Sequence, residues 1–229
     1  MTIEPGELIG RGRSADVYAL EPGRVLRRYR DGHDAASEAE AMTYLSSNGY
    51  PVPEVYDVAG PDLVMARLDG VTMLRMLGRQ PWRIAELARL LARLQQRLHA
   101  IEPLASMPTR FGQRRGVLHL DFHPDNVMMT SAGPFVIDFS NVSAGPADAD
   151  VAQSWIIMAT STIPGSPFAR FTGAVGRFQL VRSFLAASDR ENAREWLAPV
   201  AEARKVDPNT TPVERQRIER LAGRCATRE

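Results

Sequence analysis

The sequence predicts an α+β chain of two lobes: a small antiparallel β-sheet lobe with one helix, then a larger, mainly helical lobe. Three observations lead there. β-rich runs crowd the stretch up to residue 68, helical periodicity dominates from about residue 71, and "ARLDGV" at 66–71 separates the two patterns. The expected division is residues 1–67 and 68–229. At 229 residues and 44% hydrophobic composition, the chain can build one large domain or two small lobes with real cores.

Taken in order, "GELIGRGRSADVYALEPGRVLRRYR" reads as strands ending near Leu20 and Tyr29, joined by the turn signal "EPG". Within it, "RVLRRY" alternates apolar and charged residues. "DAASEAEAMTYLSSNG" reads as a helix stopped at Asn48-Gly49. Strand patterns follow at 54–58 and 62–68. "PWRIAELARLLARLQQRLHAIEP" (81–103) has apolar residues at 84, 87, 88, 90, 91, 94, 98 and 101, the spacing of a long amphipathic helix. Pro81 suits its start, and Pro103 is well placed past its end. A strand hairpin is expected around "TSAGP", then helices at about 149–163, 174–187, 190–205 and 212–223. No repeat or low-complexity segment interrupts the pattern.

Composition excludes several classes. Formal net charge is +1, so the overall field does not call for nucleic acid. All but one of the 28 basic residues are arginine, Lys205 being the exception, and they are spread along the chain. Cys225 is the single cysteine, which rules out an internal disulfide or a cysteine zinc site. "MTIEPGELIG" has neither a basic n-region nor an apolar h-region, and the longest apolar runs, such as "WIIMA", are too short to span a bilayer. A soluble, cytoplasmic protein is expected, with no nucleic-acid or membrane partner.

The chemistry concentrates in "VLHLDFHPDNVMM" (117–129), where two acids, an amide and imidazoles sit between apolar runs. His119, Asp121 and Asn126 give H-x-D-x(4)-N, and "VIDFS" places Asp138 twelve residues beyond Asn126. Phosphoryl transfer needs such a set: a carboxylate to accept or orient the proton of an attacking hydroxyl, with an amide and a second carboxylate to hold Mg²⁺ on the phosphates. Mg²⁺ keeps several waters, so few protein ligands suffice. The plainer reading is that Asp and Asn only cap turns; D-F-S at this distance favours the site. "IGRGRSADVY" adds Gly10 and Gly12, with Ala15 where a third glycine often sits. Such a loop, with Gly10, Gly12 and Ser14 as candidate contacts, brings backbone N–H groups close to phosphates, although a plain hairpin turn has the same composition. No helix follows it directly, which argues against a dinucleotide-binding fold.

Together these residues resemble the aminoglycoside phosphotransferase and choline-kinase-like family, whose fold is protein-kinase-like. The family's H-G-D-x-H-P-G-N loop stands here as "HLDFHPDN", and its I-D-F/W motif as "VIDFS". The resemblance implies Asp121 as catalytic base, Asn126 and Asp138 as Mg²⁺ ligands, and ATP as donor. It implies that Asp150, in "GPADADVA", braces the catalytic loop, and that an adenine-binding hinge runs from Met65 to Leu68. One departure matters. Where the family's third strand carries a phosphate-touching lysine, "VLRRY" has Arg27, whose expected helix partner is Glu38, with Glu40 the second choice. Arginine keeps the charge but is longer and planar, which opens an alternative: a nucleotide-binding pseudokinase with a scaffold or regulatory role.

Other polar residues have quieter expectations: His119 and His123 as loop-orienting groups, Asp125 exposed, Asp148 a helix cap, His99 a partner for a helix dipole. Only eleven residues separate Asp138 from Asp150, too few for a regulated activation segment with a peptide platform. A small-molecule hydroxyl is therefore the expected acceptor. Residues 151–229 hold 12 basic and 8 acidic side chains, which weighs against a strongly cationic acceptor such as an aminoglycoside. The helical part is small, so its acceptor pocket is expected either to be open or to be completed by a second chain in a homodimer.

Overall fold

A computed structural model describes residues 3–162, 167–207 and 210–226. The first segment forms β1 (Leu8–Arg11), β2 (Ala15–Ala19), β3 (Arg24–Tyr29), α1 (Ala36–Ser47), β4 (Val55–Ala59) and β5 (Asp62–Ala66). These strands make one antiparallel sheet in the order β1-β2-β3-β5-β4. The β2–β3 turn closes at Gly23 (φ +86°), a conformation that costs glycine nothing. Helix α1 stops where expected. The Gly49 N–H donates to Ser46 and the Tyr50 N–H to Leu45, with Gly49 at φ +71°, the Schellman pattern that satisfies the last carbonyls. Leu63, Met42 and Leu45 are buried in one core between helix and sheet.

The remainder begins with β6 (Gly70–Thr72), α2 (Met73–Arg79), a 3₁₀ turn at Pro81–Arg83 and α3 (Ile84–His99). Then come β7 (Gly116–Leu118), a 3₁₀ turn at Pro124–Asn126, β8 (Val127–Thr130), β9 (Gly133–Val136) and β10 (Ser143–Gly145). The chain ends in α4 (Ala147–Thr160), α5 (Pro167–Ala187), α6 (Arg190–Glu195), α7 (Leu197–Lys205) and α8 (Pro212–Ala226). Strands β6, β8 and β9 form a three-stranded sheet and β7 pairs with β10. Leu87, Leu91, Leu94 and Leu98 turn the apolar stripe of α3 inward, toward a core that includes Phe122, Phe139 and Phe184.

The elements depart from expectation where local chemistry intervenes. Helix α3 ends at His99, and Pro103 stands past that end as expected; Pro81 lies in the 3₁₀ turn before the helix rather than at its first residue. The single helix expected over 190–205 is two, broken at Trp196: Pro199 has no N–H to continue the ladder and fits only a first turn. The N-cap of α4 is Pro146, without a side-chain hydrogen bond, so Asp148 does not cap it as expected. Helix α2, and the three-residue strands β6, β7 and β10, are too short to show a period. The last residue of the helix expected over 149–163 and the Cys225 side chain lie outside the described residues. Among the described residues, no helix is long and apolar enough to cross a membrane.

Candidate active site

Strand β7 delivers the chain into the loop that holds His119, Asp121 and Asn126. Leu120 sits at φ +60°, a left-handed conformation that a Leu side chain resists. Two contacts hold it there. Its N–H donates to Asp150 Oδ1 at 2.7 Å, and its carbonyl accepts from Gln153 Nε2 at 3.2 Å. Asp150 is fully buried on α4, and its Oδ2 accepts from the His119 N–H (3.2 Å), Gln95 Nε2 (3.0 Å) and His99 Nε2 (2.9 Å). Burial pushes this carboxyl up, but the His99 bond and charge, with those of its other partners, hold it below the ordinary range.

His119 is a loop orienter, as expected. Its Nδ1 accepts from the Asp121 N–H at 3.3 Å, which leaves Nε2 to donate to the Ile137 carbonyl at 3.0 Å. The ring lies against Phe139 and Phe122, with centroids 4.8 and 5.3 Å away. His123 Nδ1 accepts from the Asp125 N–H, and Asp125 is exposed.

The next residue, Asp121, is thereby aimed. Asn126 Nδ2 donates to its carbonyl at 2.9 Å and to its Oδ2 at 3.3 Å. His123 Nε2 is 3.5 Å from that Oδ2, and Arg204 Nη1, from α7, is 3.9 Å from Oδ1. Burial pushes the Asp121 carboxyl up. The His123 bond and charge, then His119 and Arg204, outweigh burial and hold it far below the ordinary range. Asp121 is therefore ionised at neutral pH.

Asn126 and Asp138 share one end of the β8–β9 hairpin, where the Ile137 N–H donates to the Asn126 carbonyl at 3.0 Å. Asp138 also sits in left-handed backbone, at φ +67°. Such strained residues cluster at sites where the surroundings over-determine geometry.

From the β-sheet side, Arg27 on β3 reaches across. Its Nη1 donates to Glu38 Oε1 at 2.7 Å and its Nη2 to Asp138 Oδ1 at 2.6 Å. Glu38, on α1, is thus its partner. Glu40 instead accepts from Ser106. The Glu38 carboxylate also takes the Tyr29 hydroxyl at 2.6 Å and the Phe139 N–H at 2.9 Å. Burial pulls the Arg27 guanidinium down, yet the charges of Glu38 and Asp138 prevail and raise it above its ordinary value. Burial also pushes Asp138 up, and Arg27 and then Ser140 hold it low.

The other candidates do not join this cluster. Gly10, Val17, Arg27 and Leu63 form one row across four strands. Gly12 and Ser14 lie in the exposed β1–β2 turn, tied by Gly12 N–H to Ala15 O (2.8 Å) and Arg30 N–H to Ser14 O (3.0 Å). Met65 is on β5 opposite Val25, and Leu68 follows that strand; both are half-buried. No described hydrogen bond links either to the polar cluster.

Sequence reasoning missed several members. Tyr29 lies two residues from Arg27 on one strand face, a spacing that could have flagged it. Gln95 is a polar residue within the apolar stripe of α3, the signal of a buried hydrogen-bonding role. His99 holds Asp150 rather than serving the helix dipole alone. Arg204 carried no local signal.

The chain's likenesses bear on its fold and its family. Among curated protein sequences, none matches it. The fold is close to that of a thermostable mutant of aminoglycoside phosphotransferase APH(4)-Ia, at 15% identity and TM-score 0.64, covering 96% of this chain and 94% of that one. It is similar to ADP-bound aminoglycoside phosphotransferase APH(2'')-Ib at 15% identity and TM-score 0.60, over 98% and 92% of the two chains. A choline/ethanolamine kinase family protein from Mesorhizobium loti matches at 13% identity and TM-score 0.59, over 97% and 87%. At such identities the likeness speaks for the fold, which is α+β and protein-kinase-like. The model of the phosphotransferase enzyme family matches residues 6–115 and 102–196, and the chain belongs to that family.

Proposed function

We propose that this protein transfers the γ-phosphate of ATP to a hydroxyl of a small molecule, with Mg²⁺, in the cytoplasm where that donor is plentiful. The observation that carries the reading is convergence: the Glu38–Arg27–Asp138 chain of ion pairs meets the Asp121–Asn126 pair at the end of one hairpin. The donor set suits Mg²⁺. Among the described hydrogen bonds, none uses the Asn126 amide oxygen or Asp138 Oδ2, which leaves two hard oxygens for a cation that keeps several waters. When bound there, Mg²⁺ would neutralise charge on the transferring phosphoryl group. Asp121, ionised and fixed by Asn126 and His123, orients the acceptor hydroxyl and takes its proton. Arg27, Gly10 at the end of β1 and the Gly12–Ser14 turn hold phosphate oxygens, and the Met65–Leu68 stretch receives the base. In this reading residues 1–67 serve the nucleotide and residues 68–229 serve catalysis and the acceptor.

The test is Asp121→Asn. Phosphoryl transfer across a panel of hydroxyl compounds, and slow ATP hydrolysis, should fall by roughly 10³-fold or more while ATP affinity stays within about threefold. Equal turnover in both proteins would sink the assignment. The direct bond between Arg27 and Asp138 favours one rival, a pseudokinase that binds nucleotide as a scaffold. That rival predicts ATP binding with no transfer from the wild-type protein to any member of the panel.

A further inference from the structure

Arg27 stands at the junction of two carboxylates with different needs. Glu38 is 3% exposed and accepts the Arg27 Nη1, the Tyr29 hydroxyl and the Phe139 N–H. The Asp138 side chain is 35% exposed and takes both of its described donors, Arg27 Nη2 and Ser140 Oγ, on Oδ1. The guanidinium lies 5.0 Å over the Tyr29 ring, which helps set its plane. One planar fork therefore spans a buried anion and an anion open to the site. A lysine cannot do this with two separate nitrogens; its single ammonium head is a point charge on a different stem.

We propose that Arg27 couples metal binding to nucleotide binding, by holding Asp138 until a phosphate group takes over its guanidinium. The inference rests on the reading above that Asp138 ligates the metal. A cation that uses Oδ1 must displace Nη2. A cation that uses only Oδ2 meets a carboxylate whose charge is already shared. Either way, Arg27 weakens the affinity for metal alone. A nucleotide's phosphates give the guanidinium another anion, which frees Asp138 for the cation. Glu38 does not let go, because leaving a buried carboxylate without its cation is far costlier than leaving a half-exposed one. Metal and nucleotide thus favour each other's binding beyond their direct contact, and the coupling is reciprocal.

The experiment titrates Mn²⁺, followed by electron paramagnetic resonance of the free ion, against full-length wild type, Arg27→Lys, Glu38→Gln and Asp138→Asn. Each is measured with and without a non-hydrolysable ATP analogue. Arg27→Lys keeps its ammonium with Glu38 and should bind Mn²⁺ alone on the order of 10-fold more tightly, with a matching fall in the coupling factor. Glu38→Gln, which preserves shape and the Phe139 bond, removes the buried charge and leaves Asp138 as the one anion of the pair against Arg27. It should weaken Mn²⁺ binding in the absence of nucleotide. These opposite signs support the proposal, and Glu38→Gln carries the test if Arg27→Lys melts early. Metal-alone affinities that do not move in either variant overturn it. Asp138→Asn separates the two possible failures. If it binds Mn²⁺ with the analogue as wild type does, the ligand assignment itself is wrong and the coupling falls with it. If it loses binding while the other variants match wild type, only the coupling is wrong.

Discussion

Replacing Asp150 with alanine should damage both stability and catalysis, and the size of each effect follows from its partners. The carboxylate is fully buried and receives four donors, from Leu120 N, His119 N, Gln95 Nε2 and His99 Nε2. Truncation leaves two buried backbone N–H groups without acceptors, at about 1–3 kcal/mol each. It also strips two α3 side chains of their shared anion, so the total is about 3–5 kcal/mol, the range for breaking a buried charged pair. For a chain of this length that corresponds to a melting-temperature drop of roughly 6–20 °C. Catalysis suffers separately. Without Oδ1, only the Gln153 bond to its carbonyl is left to hold Leu120 at φ +60°, and the next residue, Asp121, loses much of its aim. A displacement near 1 Å costs on the order of 100-fold in rate. Circular dichroism melts and ATP hydrolysis at a temperature where both proteins are folded would separate the effects. A variant that melts within about 2 °C of wild type and keeps its hydrolysis rate would refute the account of how this loop is held.

Two further outcomes are expected. Gly116→Ala would set a Cβ 2.4 Å from the His99 carbonyl oxygen, backbone against backbone, and should cost about 1–3 kcal/mol by pushing β7 off the end of α3; chemical denaturation checks this. Acid should also destabilise the fold in a defined window. Asp121, Asp138 and Asp150 all have carboxyls lowered by folding, so their contribution is present above the unfolded value of roughly 4 and is lost as pH falls through the lower folded values. Urea midpoints should therefore fall steadily below about pH 4, less steeply in Asp150→Asn, and an unchanged slope in that variant would contradict the role given to Asp150.

Much of the fold was legible because its signals are local. The i, i+3, i+4 spacing from Ile84 to Leu98 specifies a helix whatever surrounds it, and Asn48-Gly49 closes α1 through its own backbone bonds. Pro199 carried its helix break in plain view, but only the ladder it interrupts gives that residue its meaning. Strands of three residues, such as β7 and β10, are set by their partners and leave no period to read.

Sequence alone determined the ingredients of the candidate site: the spacing of His119, Asp121 and Asn126 with Asp138 after them, Gly10 and Gly12 on the way into the first turn, and arginine at position 27. Short spacings survive into structure because a loop and the hairpin beside it cannot separate their own residues. Tertiary structure decided the connections. Arg27 meets Asp138 across 111 residues, and Asp150 gathers donors from α3 and from the loop it holds at φ +60°. Contacts of that range depend on how buried surfaces pack, because a charge taken out of water must find a partner wherever the fold brings one, and no pattern of neighbours along the chain records which.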